Sequence, residues 1–128
     1  MAWTRIVRSA KPRPRGVDSQ YPGLINADMD LNISPPPEWV QAFNSPSDVP
    51  ISMSMHPPKL AGSSIRIRYP DGQLEAYVAN VDARCEAANL YFERHILPAL
   101  TAAEAQARSY RETAQARLAR EQREGEKL

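Results

Sequence analysis

Cysteine is almost missing from this chain, whose 128 residues include a single one, Cys85. One thiol excludes an internal disulfide. With only two histidines, His56 and His95, no zinc site of the usual ligand spacing can be drawn either. We therefore expect a reducing compartment, with the cytoplasm as the location, and no bound metal or cofactor. Cys85 itself is expected to be a small core residue.

Long apolar runs are missing too. No stretch approaches the ~18 consecutive apolar residues that a membrane span needs, and the N-terminus has no apolar segment of the kind found in secretory signals. We expect no membrane partner. The formal net charge is only +1, so the overall charge favours neither nucleic acid nor membrane. Arginine exceeds lysine, which we interpret as a sign of a GC-rich bacterial or phage genome.

The chain also lacks the common sequence motifs of catalysis. It has no G-x-S-x-G turn and no glycine-rich phosphate loop. Asp28 and Asp30 are the most enzyme-like pair, because two residues apart on a strand they project from one face and could bind a divalent cation. The alternative is that they pair with Arg66 or Arg68 across the sheet. The sequence therefore favours a protein that is not an enzyme.

The strongest pattern that is present is an apolar stripe between residues 74 and 97. Its members recur at steps of three and four, which predicts one face of a helix: Leu74, Tyr77, Val78, Val81, Cys85, Ala88, Phe92 and Ile96. Such a helix is about 35 Å long, enough to cross a small sheet. We expect Pro98 to end or kink it.

Three stretches alternate between apolar and polar residues, which predicts strands with one buried and one solvated face. These are residues 24–33, 51–55 and 64–69. A short helix is predicted over residues 38–43, directly after three prolines. Residues 56–63, with two prolines and a glycine, are expected to be a loop too long for a tight hairpin.

These elements predict an α+β fold in the order β-α-β-β-α. The sheet is small and mainly antiparallel, with three strands and room for a fourth, and the helices cover one face. We divide the chain into a basic, proline-rich N-terminal arm (1–23), a core domain (24–97) and a charged C-terminal helix rich in Ala, Arg and Glu (98–128). A core of this size buries only about 60% of its unfolded surface, so a partner would help to stabilise it.

The N-terminal arm carries five positive charges before its first acidic residue, Asp18. They are Arg5, Arg8, Lys11, Arg13 and Arg15. Stiff basic segments often lie on phosphate groups or on acidic partners, so these five are candidate phosphate-binding residues, with a solvated tail as the alternative. The polar faces of the predicted strands carry no aromatic side chain, which disfavours the stacking of bases on the sheet.

A thinner stripe, mostly of alanine, follows Pro98. Its members lie three and four apart and are candidate partner-binding residues: Ala103, Ala107, Tyr110, Ala114 and Leu118. Alanine buries too little surface for a strong coiled coil, which needs Leu, Ile or Val at its seam. We expect the helix to dock on a larger protein or within a homo-oligomer, with a solvated extension as the alternative.

The leading hypothesis is therefore a non-catalytic subunit or adaptor, held in a larger protein assembly by its arm and its C-terminal helix. The first alternative is a nucleic-acid-associated accessory protein that contacts phosphates with residues 5–15. The second is a metal-dependent enzyme that uses Asp28 and Asp30. Under the leading hypothesis no residue is assigned to catalysis or to metal binding.

Overall fold

The computed structural model describes residues 3–45 and 56–128. Its sheet is antiparallel and has four strands in the order β1-β2-β4-β3. The strands are β1 (Arg13–Val17), β2 (Leu24–Asp30), β3 (Lys59–Ala61) and β4 (Ser64–Pro70). The helices are α1 (Pro37–Asn44), α2 (Leu74–Tyr91) and α3 (Leu97–Glu126), and a π-helical turn (Phe92–Ile96) joins the last two. The predicted α+β class is confirmed.

The alternating pattern of β2 and β4 decides which face of the sheet is buried. Ala27 and Met29 of β2 stand opposite Ile67 and Ile65 of β4, and all four side chains are buried. The residues between them point the other way, since successive side chains on a strand alternate between faces. The sheet therefore has one face covered by the helices, called here the core face, and one open face.

The helices fill the core face with aromatic and aliphatic side chains. Trp39 and Phe43 of α1 are fully buried and stack on each other, with ring centroids 5.5 Å apart. The predicted stripe on the long helix is confirmed, because each of its members is buried or packs against the core: Leu74, Tyr77, Val78, Val81, Cys85, Ala88, Phe92 and Ile96. The stripe thus holds α2 against the sheet.

Two strands lie where the sequence predicts none. The arm contributes β1, an edge strand that pairs with β2 and contains a bulge between Pro14 and Gly16. Gly16 has φ +149°, a backbone conformation that side-chain-bearing residues rarely adopt. Proline is tolerated in such a strand because an edge leaves one row of backbone groups unpaired.

The second unpredicted strand is β3, within residues 56–63. A two-residue turn joins β3 to β4, since Ala61 and Ser64 are register partners and Gly62 takes the left-handed φ of +61°. The prediction of a loop too long for a tight hairpin is therefore wrong, because the glycine makes the turn possible. The predicted strand at residues 51–55 lies outside the described residues.

The N-terminal segment that precedes β1 packs on the sheet and on helices α1 and α2, which together are called the body. Ile6 is fully buried, and its backbone N–H donates to Asn89 Oδ1 (3.0 Å) while its carbonyl accepts from Asn89 Nδ2 (2.9 Å). The Trp3 ring stacks on Phe92, with centroids 4.4 Å apart. Trp3 and Ile6 therefore pack into the same core as residues of the sheet and the helices.

The long helix continues past Pro98. In the π-helical turn the Leu97 N–H donates to the Phe92 carbonyl, five residues earlier. A proline inside a regular α-helix would clash with the carbonyl four residues before it, and a wider turn relieves that clash. The helix continues as α3, which packs on the core through Leu97 and Leu100, and every residue from 101 to 128 is exposed. None of the described helices is both long enough and apolar enough to cross a membrane.

Candidate functional site

The exposed part of α3 carries the predicted partner-binding stripe on one face. At 100° per residue its five members fall within an arc of about 80°. All five are exposed: Ala103, Ala107, Tyr110, Ala114 and Leu118. The two large side chains, Tyr110 (77% exposed) and Leu118 (58% exposed), are the apolar groups that this face offers to solvent. The structure thus brings the predicted residues together without showing what covers them.

A shallow depression of about 400 Å³ lies beside the Tyr110 ring. It is lined by Ala103, Gln106, Ala107, Tyr110 and Arg111, all of them on α3 itself. The depression exists because alanine side chains are short and Tyr110 and Arg111 stand above them.

The five candidate phosphate-binding residues do not form one basic arm. Four of them pair with carboxylates of the body: Arg5 with Glu93 (2.8 Å) and Glu86 (3.3 Å), Arg8 with Asp82 (2.9 Å), Arg13 with Asp30 (2.8 Å) and Arg15 with Asp28 (2.8 Å). The first two pairs lie along α2 and the π-helical turn, and the last two lie on the open face of the sheet. Lys11 is exposed.

One sequence signal could have indicated the α2 pairs. Asp82, Glu86 and Glu93 are four and seven residues apart, so they form an acidic edge along one side of the helix. The hydrogen bonds from Arg5 and from Trp3 Nε1 (2.8 Å) to Glu93 lower the pKa of that carboxyl. The acidic edge formed by α2 and the π-helical turn thus holds the N-terminal segment in place.

Asp28 and Asp30 do share a face, as predicted, and arginines engage both. The Asp28 side chain is 10% exposed and accepts from Arg66 Nε (2.9 Å) and Arg15 Nε (2.8 Å). The Arg66 hydrogen bond is the main cause of its lowered pKa, and Arg13 has the same effect on Asp30. Within the described ranges no cluster of three or more His, Cys, Asp or Glu side chains could hold a metal ion. Pairing across the sheet, the alternative to a metal site, is thus observed for Arg66.

Arg68 pairs with neither aspartate, and an aromatic ring lies beside it instead. The Arg68 guanidinium lies over the ring of Tyr21 at 5.6 Å, and the Tyr21 ring is 5.8 Å from that of His56. Asp18 holds the loop that carries Tyr21 by accepting its backbone N–H (2.9 Å). Tyr21 was missed from the sequence because it precedes β2 and belongs to no alternating pattern.

Two buried titratable side chains on α2 serve packing. Burial raises the pKa of the Cys85 thiol to about 12, which leaves it without nucleophilic thiolate at neutral pH. Arg84 is 5% exposed and donates to Asn80 Oδ1 (3.0 Å) and to the Phe43 carbonyl (3.2 Å) in the last turn of α1. Its positive charge lies at the negative end of the α1 dipole, a favourable position.

The chain was also compared with known proteins, and it matches no family model, no curated protein and no solved structure.

Proposed function

We propose that this protein is a non-catalytic subunit or adaptor that joins a larger protein assembly through α3. The observation that carries the proposal is that every residue from 101 to 128 is exposed, on a helical stretch whose stripe includes Tyr110 and Leu118. The sequence also predicts a docking role for the arm. Its arginines are engaged with carboxylates of the body, so docking is assigned here to α3 alone.

The energetics of the stripe favour a larger partner over a second α3. Burying a residue such as Leu118 contributes about 1.5–3 kcal/mol, and Tyr110 a similar amount, before the cost of association is subtracted. The three alanines add little. Two α3 helices packed together would bury only these side chains, whereas a groove in a larger protein would also contact the flanking polar residues. A partner with a groove about one helix wide fits this surface.

The two alternative functions have less support from the contacts. Phosphate binding by residues 5–15 would have to compete with the carboxylates that hold Arg5, Arg8, Arg13 and Arg15. A cation between Asp28 and Asp30 would have to displace their arginine partners. In either alternative, the protein would break several charge-assisted hydrogen bonds in order to bind the ligand.

Affinity capture from the native host tests the proposal with three forms of the protein. The full-length chain should capture a specific partner, and a form that ends at Leu100 should not. Tyr110→Ala combined with Leu118→Ala should weaken the captured complex at least about tenfold, because each truncation removes buried apolar area. The matched control combines Glu112→Ala with Arg123→Ala, which alters the opposite side of α3 and leaves the net charge unchanged.

The outcome decides between α3 and the body as the docking element. Equal recovery of the same partner by the form ending at Leu100 would place docking on the body and contradict the proposal. So would equal losses in the stripe variant and the control variant.

A further inference from the structure

The open face of the sheet carries more positive than negative charge. Five cationic side chains lie on it or at its edge: Arg13, Arg15, Lys59, Arg66 and Arg68. Three acidic side chains accompany them: Asp18, Asp28 and Asp30. In register, Lys59 stands directly opposite Arg66, so two like charges face each other across neighbouring strands. Like charges so placed repel, and an anion bound between them would relieve that repulsion.

Several N–H donors of this face have no acceptor within residues 3–45 and 56–128. Arg66 uses Nε and Nη2 on Asp28, and Arg15 uses Nε on the same carboxylate. The Nη1 group of Arg66 and both Nη groups of Arg15 are left over. Arg68 donates to no side chain among these residues, and Lys59 is exposed. Guanidinium groups with unused N–H donors are suited to phosphate oxygens, which accept in pairs.

An exposed aromatic ring lies at one end of the same face. Tyr21 is 49% exposed, and Arg68 lies over its ring at 5.6 Å. An aromatic side chain beside unused cationic donors is the pairing that binds single-stranded nucleic acids, where bases stack and phosphates meet the cations. A duplex offers no unstacked base to Tyr21, and this face presents no helix to enter a groove.

We propose that the open face of the sheet binds single-stranded nucleic acid, with Arg15, Lys59, Arg66 and Arg68 on the phosphates and Tyr21 against a base. This is a second binding surface, separate from the stripe on α3, and it does not depend on the proposed subunit role. It differs from phosphate binding by a basic arm, because two of its cations come from β4 and one from β3. Arg15 and Arg66 keep their hydrogen bonds to Asp28 and offer phosphate only their unused Nη donors.

Fluorescence anisotropy of the full-length protein with a labelled oligothymidylate of about 15 nucleotides tests this proposal. The wild type should bind at about 50 mM salt and weaken steeply towards 200 mM. Lys59→Gln with Arg68→Gln should weaken binding about tenfold and reduce the salt slope by about 1.4, since each phosphate contact on a single strand contributes roughly 0.7. Among residues 3–45 and 56–128 neither side chain forms a salt bridge, and Arg68 loses only its contact with Tyr21 and its Coulomb attraction to Asp18, so the fold should be retained.

Two matched controls on α3 separate the sheet face from general charge effects. Arg117→Gln with Arg120→Gln removes the same charge from α3 and should leave both affinity and salt slope unchanged. Tyr21→Ala should weaken binding about tenfold through loss of base stacking, whereas Tyr110→Ala should not. Tryptophan emission of each variant checks that the body is folded.

Three results would overturn the proposal. The first is no binding at about 50 mM salt. The second is an equal loss in the α3 controls. The third is that polyglutamate of equal charge displaces the oligonucleotide while Tyr21→Ala leaves oligonucleotide binding unchanged. That result would indicate that the open face binds an acidic protein segment instead.

Discussion

Asn89→Leu should sharply reduce the stability of the body. The Asn89 side chain is fully buried and accepts hydrogen bonds from Ile6 N–H (3.0 Å) and from Trp39 Nε1 (2.9 Å). Its Nδ2 donates to the Ile6 carbonyl (2.9 Å). One amide thus connects α2, α1 and the N-terminal segment. Leucine has the same number and branching of side-chain heavy atoms, with bulkier methyl groups, so the substitution removes the hydrogen bonds without leaving a cavity.

The magnitude follows from the three backbone and indole groups that lose their partner. Each buried group left without a hydrogen bond costs about 1–3 kcal/mol, so the simple sum is about 3–9 kcal/mol. The true loss should lie near 3 kcal/mol, the lower end of that range, because the segment around Ile6 can detach and return its two groups to water. That is a large share of the 5–15 kcal/mol typical of a domain.

Urea unfolding followed by tryptophan fluorescence measures this loss directly. Both tryptophans report on the affected region, since Trp39 donates to Asn89 and Trp3 stacks on Phe92. With a slope of about 1–3 kcal/mol per molar urea, the midpoint should fall by about 1–3 M. Asn44→Leu, at an exposed position of α1, is the control and should leave the midpoint in place. A midpoint for Asn89→Leu within about 0.3 M of the wild type would refute the reasoning.

Three further predictions concern the bulge, the open face and the thiol. Gly16→Ala should cost about 1 kcal/mol or more in urea unfolding because of its φ of +149°, while Gly23→Ala, in open space, should change stability by less than about 0.5 kcal/mol. Asp28→Asn should lower the free energy of unfolding by about 1–2 kcal/mol at pH 7. This loss is small for a buried carboxylate because its arginine partners are exposed to solvent. Because the pKa of Asp28 is lowered in the folded protein, the difference in unfolding free energy between wild type and Asp28→Asn should be complete above about pH 5 and disappear as the pH falls below ~3.9. A difference that does not change with pH would contradict this. Cys85, with its pKa raised from 9.0 to about 12, should react with an aromatic disulfide reagent about a thousandfold more slowly in the folded than in the urea-unfolded protein, and rapid labelling of the native protein would be the contrary result.

Local periodicity explains which elements could be predicted. The α2 stripe and the alternation in β2 and β4 each arise within one segment, because one face of each element is buried. β1 could not be recognised in this way, since its sequence RPRGV contains proline and glycine and its strand conformation depends on the neighbouring edge of β2. β3 is only three residues long, too short for a pattern.

The candidate surfaces also differ in how far apart their residues lie in the sequence, and this decides which of them could be predicted. The stripe on α3 was predictable because its spacing is helical. The pairing of Arg5 with Glu93 joins residues 88 positions apart, and only the folded chain brings them together. The open face likewise combines Arg15, Lys59 and Arg66 from three strands with Tyr21 from a loop.

The wide turn between α2 and α3 sets the direction in which the stripe on α3 faces. A single π-helical turn takes up one residue more than an α-helical turn, so residues downstream are rotated by about 100° relative to an uninterrupted helix. Deleting one residue between Phe92 and Ile96 would therefore rotate Tyr110 and Leu118 by about a quarter of a turn around the axis of α3. A partner that contacts both the body and α3 would lose its alignment, even though each surface kept its own chemistry.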